Sequence, residues 1–148
     1  DCHNTWLVGM VQIFEYLVEC YIGAGFIALH IVNAEYNTSI HNTFAMTNMI
    51  QELLQFIQKE MGRRYDENSI HYERYLAHLK FLARRVCDHN LLPDDDMEFA
   101  ARIEQKYPAE YECSRKAADY IKMQYHENLS EEEILYLAIH IKRVFMED

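Results

Sequence analysis

Helix breakers are scarce in this chain, and that scarcity limits what it can fold into. Four glycines and two prolines are spread over 148 residues, so long stretches run without a residue that interrupts a helix. Between the breaks, apolar residues recur at helical spacing. Met46, Met49, Ile50, Leu53, Leu54, Ile57 and Met61 make one stripe over residues 43–61, and Gly62 stands where a C′ glycine would end that helix. Asp66, Glu67, Asn68 and Ser69 supply an N-terminal cap cluster for a helix over residues 70–86. A loop with Pro93 follows over 89–96, then helices over 96–106 and from Pro108 to about residue 125. Ser130 and Glu133 form a capping box that opens a last helix, which runs on from Ile134 to Phe145. Upstream, residues 6–20 and 26–36 read as two further apolar helices parted by Gly23 and Gly25. No segment alternates as a strand would. The pattern predicts an all-α helical bundle with short connections.

Half of the residues are apolar, enough to bury a real core. Lys and Arg number 14 against 24 Asp and Glu, a formal net charge of −10. Phosphate backbones are held by clustered Lys and Arg, so this chain by itself is not expected to read nucleic acid. The apolar run from Cys20 to Leu29 is half the length a membrane span needs, and no signal peptide is evident, so membrane insertion is not expected. The four cysteines (Cys2, Cys20, Cys87, Cys113) follow no spacing rule and read as reduced thiols of a cytoplasmic protein.

An internal echo divides the chain. Phe26-Ile27-Ala28-Leu29-His30-Ile31 overlaps Tyr136-Leu137-Ala138-Ile139-His140-Ile141, at an offset of 110 residues. A repeat of that length suggests tandem modules, each ending in an apolar helix with a histidine at the same place. The chain would then hold the tail of one module and a complete copy after it.

Eight histidines raise the question of a metal. No HExxH pattern occurs, and Cys87 with His89 lacks a second half, so no metal or other cofactor is expected. His3, His41, His71, His89 and His126 lie in loops or at polar helix positions and read as surface histidines. His30, His78 and His140 sit mid-helix within apolar stretches. One reading is a core histidine satisfied by a hydrogen bond. The other takes account of their neighbours. Arg74 and Arg85 share a helix face with His78, and Glu133, Tyr136 and Arg143 share one with His140. A neutral imidazole is a competent nucleophile, and an arginine fork can hold phosphoryl oxygens, so the arrangement suits a phosphate acceptor. No Gly-rich phosphate loop, nucleophile triad or acidic Mg²⁺ pair accompanies it, which speaks against an enzyme.

Four segments resemble the PTS regulation domain, PRD, found in transcription antiterminators of the BglG/LicT/SacY family and in some sugar-operon activators. Residues 25–34 (GFIALHIVNA) are similar to the end of a first PRD, and residues 47–52 (TNMIQE) to the opening helix of a second. Residues 72–85 (YERYLAHLKFLARR) resemble its first histidine motif, and residues 130–141 (SEEEILYLAIHI) its second. Tyr107-Pro108 and Tyr111-Glu112-Cys113 also fit. The resemblance implies a partial first PRD over residues 1–36 and a complete second PRD of about five helices over 37–148. It implies phosphorylation of His78 and His140, with His30 as the second histidine of the first PRD, and support from Arg85, Arg143, Arg74 and Glu133. The family places an acidic residue seven positions before the final histidine of a PRD. Glu133 fills that place for His140, whereas Gly23 occupies it for His30.

In such proteins the partners are HPr and the sugar-specific enzyme II of the phosphotransferase system. HPr acts mainly on the second PRD, and the enzyme II acts negatively through the first. The output is a change of homodimer packing that lets an RNA-binding domain, absent from this chain, bind an antiterminator hairpin. Two other readings stay open on the residues: a PRD of a DNA-binding activator, and a helical interaction domain that takes no phosphate.

Overall fold

The computed structural model describes residues 40–146, with side chains from Asn42 onward. The expected helices over 6–20 and 26–36, His30, and the first half of the echo lie outside the described residues. Within them are five helices and no strand: α1 (Ile40–Met61), α2 (Ile70–Cys87), α3 (Met97–Lys106), α4 (Pro108–Tyr125) and α5 (Glu131–Val144).

Each helix ends where local chemistry stops it. After α1, Gly62 takes φ +63, and its N–H donates to the Lys59 carbonyl while Arg63 N–H donates to that of Gln58. This is the paired Schellman closure that a left-handed residue permits. Ser69 caps α2 by accepting from Tyr72 N–H, and Asp96 caps α3 by accepting from Phe99 N–H. Asp96 is thus the cap of α3 and not its first residue, as the sequence suggested. Pro108 opens α4, where its missing N–H costs nothing. His126 closes α4 in the left-handed region at φ 60, with no glycine to mark the place.

The stripe read from the sequence is the buried face of α1: Met46, Met49, Ile50, Leu53, Leu54 and Ile57 are all in the core. They meet Tyr75, Leu79 and Leu82 of α2, Ala117 and Ile121 of α4, and Leu137 and Ile141 of α5. A smaller cluster of Ala100, Tyr111, Ala118, Ile134, Leu135 and Ala138 joins α3, α4 and α5. Helix α5 contributes to both clusters and packs on α2, α3 and α4. Full burial of such aliphatic side chains is worth about 1.5–3 kcal/mol each, so α5 is anchored from every side its apolar residues face.

Polar groups inside the bundle are tied across helices. Ser114 Oγ–H donates to the Ile134 carbonyl at 2.7 Å, and Glu52 accepts from the hydroxyls of Tyr120 and Tyr125 at 2.9 and 2.8 Å. Tyr65 O–H donates to the Leu54 carbonyl at 2.8 Å. Of the two cysteines described, Cys87 is half-buried and Cys113 buried, both as free thiols. Burial pushes the Cys113 thiol up to about 12, far from the reactive thiolate.

Candidate functional site

Helices α2 and α5 pack against each other in opposite directions, and this brings the two motif histidines together. The rings of His78 and His140 stack with centroids 4.3 Å apart and planes 22° from parallel. Further along the same contact, Arg85 grips Glu133 with both arms of its fork, Nε to Oε1 at 2.6 Å and Nη2 to Oε2 at 2.7 Å. The spacing explains the match. Arg85 is seven residues after His78 and Glu133 seven before His140, so on antiparallel helices one pairing sets up the other.

His78 is the deeper of the pair, and its Nε2 is buried without a hydrogen-bond partner. Burial first, then the ring of His140 and the charge of Arg85, push its pKa down to about 3. Burial, followed by the charge of Arg143, also holds His140 below the ordinary histidine range. Both rings are therefore neutral near pH 7, with lone pairs on nitrogen. Two charged rings could not stack at this distance in a low-dielectric setting without strong repulsion. Phe81, three residues after His78, and Tyr136, four before His140, are less than half exposed.

The supporting residues fall into two groups. Arg74 and Arg143 are exposed, and among the described residues neither is ion-paired. Arg85 is instead committed to Glu133, whose carboxylate is fully buried and also accepts the Leu92 N–H at 3.0 Å. Ser130 caps α5 by accepting from Glu133 N–H, but the reciprocal half of the expected capping box is not formed. The Glu133 side chain is taken by the arginine fork, a stronger donor than a backbone amide. Sequence reasoning assigned Glu133 to the histidine on its own helix. The cross-helix pair with Arg85 is not visible within one helix, and the Leu92 amide belongs to a loop residue whose side chain gives no signal.

Of the other histidines, His89 and His126 are exposed; His89 pairs with Glu127. His71 is half-buried, its Nδ1 out of solvent, where the sequence suggested a surface position. Among the described residues no three His, Cys, Asp or Glu side chains converge as metal ligands, and no helix is long and apolar enough to cross a membrane.

The fold and the sequence matches together define the class of domain. The model of the PRD domain matches residues 51–144, which takes in both histidines and the Arg85–Glu133 pair. The chain belongs to the PRD family. It is similar to the transcription antiterminator LicT of Bacillus subtilis (strain 168), with 40% identity over 121 residues, 82% of this chain and 44% of the relative. The beta-glucoside operon antiterminator of Dickeya chrysanthemi is 36% identical over 121 residues, 82% of this chain and 43% of the relative. Protein GlcT of Staphylococcus aureus (strain JH9) is 33% identical over 117 residues, 79% and 41% of the two chains. The chain thus spans less than half the length of these relatives.

Proposed function

We propose that the chain is the phosphorylation-controlled module of a transcription antiterminator, with His78 and His140 as its phosphate acceptors. The observation that carries the reading is the stacked, neutral histidine pair, 4.3 Å apart and flanked by arginines. A neutral ring nitrogen attacks the phosphorus of a phosphohistidine on HPr. The new N–P bond forms as the donor's N–P bond breaks, and the electron pair returns to the donor imidazole. Arg143, whose charge is felt at His140, and the exposed Arg74 one helical turn before His78 are suited to steady the incoming oxygens. Residues 37–148 are taken as a complete second PRD and residues 1–36 as the tail of a first, in which His30 answers to the sugar-specific enzyme II. The protein is cytoplasmic and homodimeric, and RNA is bound by a domain outside this chain. Similarity to the antiterminators of Bacillus and Dickeya supports an antitermination output over a DNA-binding activator.

A phosphoryl group adds roughly −1.5 to −2 charge and three acceptor oxygens. In the stack this replaces ring-on-ring contact by repulsion or by new arginine contacts, and the packing of the dimer shifts with it. The His78→Asp, His140→Asp double substitution mimics part of that charge. Its dimer dissociation constant, measured by sedimentation equilibrium, is expected to differ from wild type by about tenfold, or 1.4 kcal/mol. Unchanged association would count against the reading.

A further inference from the structure

Outside the histidine pair, the Glu133 carboxylate is a buried group that accepts three hydrogen bonds. It is wholly buried, holds the Arg85 fork, and its Oε1 also accepts the Leu92 N–H at 3.0 Å. The loop over residues 88–96 is thereby fastened to α5. Two lighter ties accompany it: Asp94 Oδ1 accepts the Glu132 N–H at 3.4 Å, and His89 pairs with Glu127 on the α4–α5 connection. Of the three, only the Glu133 tie passes through a residue that also acts on the histidines. Arg85 lies two helical turns beyond His78, and its charge is felt at that ring.

We propose that the Arg85–Glu133 bridge is a latch: a phosphoryl group on the histidine pair draws Arg85 off Glu133, and the 88–96 loop comes free of α5. The inference rests on the acceptor reading above and adds the moving part. A guanidinium fork fits carboxylate and phosphoryl oxygens equally well, so the two anions compete for one cation. The phosphoryl group carries the larger charge and more acceptor oxygens. Once Arg85 leaves, Glu133 is a buried carboxylate without a counter-charge, which the interior tolerates poorly. It must take up a proton or turn toward solvent. Both weaken its hold on the Leu92 N–H, and the loop loses its strongest fastening. Arg74 and Arg143 have no tie to the loop, so their movement does not transmit anything to it.

Hydrogen exchange over residues 88–96 tests the latch directly. The chain is phosphorylated with phosphoenolpyruvate, enzyme I and HPr, and intact mass reports the occupancy. Loop exchange is expected to rise about tenfold on phosphorylation, the scale of a local opening made easier by one lost tie. A second variant, Arg85→Met with Glu133→Leu, replaces the ion pair by apolar residues of similar volume and keeps the fold, as helical circular dichroism checks. It should exchange fast in this loop without phosphate and show no further rise with it. Phosphorylated wild type with unchanged loop protection would overturn the latch and leave the acceptor reading standing. So would a double variant whose loop still responds to phosphate. Absence of any mass gain would overturn both.

Discussion

His78 is held neutral by its surroundings, and that has a consequence for stability. In the unfolded chain its ring takes a proton as pH falls through about 6.5. In the folded domain burial delays that proton until about pH 3. The unfolded state therefore binds more protons between these limits. Stability is full above pH 6.5 and drains away as the pH falls toward 3. Between pH 7 and pH 5 the loss from His78 is about 1–2 kcal/mol. Urea denaturation at the two pH values should show a smaller loss for His78→Phe, which keeps a stacked ring without a titrating nitrogen; an equal loss would contradict the account. At this scale the sequence was informative about His78 and His140, because each interrupts an apolar helical stretch. It said nothing of their mutual contact, since the spacing of residues within one helix carries no information about the helix opposite.

Helix α5 illustrates what a local pattern can and cannot tell. Ser130 followed by Glu133 reads as a capping box, and the first half is present. The second half gives way to Arg85, a partner 48 residues upstream that no local pattern points to. The mirrored spacing, Arg85 seven residues past one histidine and Glu133 seven before the other, is a signal that could have revealed the pair once α2 and α5 were taken as antiparallel. The two residues of the box should then differ sharply on truncation. Ser130→Ala loses one cap bond and is expected to cost about 1 kcal/mol. Glu133→Ala strands the Arg85 charge and the Leu92 amide and is expected to cost about 3 kcal/mol. Chemical denaturation of the two variants separates these outcomes, and similar losses would show that the cross-helix pair contributes little.

Across the whole molecule, the five described helices were legible because breakers and caps mark their ends: Gly62, Ser69, Asp96, Pro108 and Ser130 each stand at a terminus. The order of packing was not, because apolar stripes of similar composition fit many neighbours. That α5 lies against α2, α3 and α4 at once is a property of the assembled core, and it sets the histidine pair at the contact between α2 and the helix that touches all three. The domain so described is a small, acidic bundle whose one concentrated chemical feature is a neutral histidine pair. Incubation with phosphoenolpyruvate, enzyme I and HPr, followed by intact-mass measurement at alkaline pH, asks most directly whether that pair receives phosphate. The account predicts a gain of one or two phosphoryl groups that disappears in the folded His78→Phe, His140→Phe double variant. No gain by the folded wild-type chain, or a gain that survives in the double variant, would contradict it.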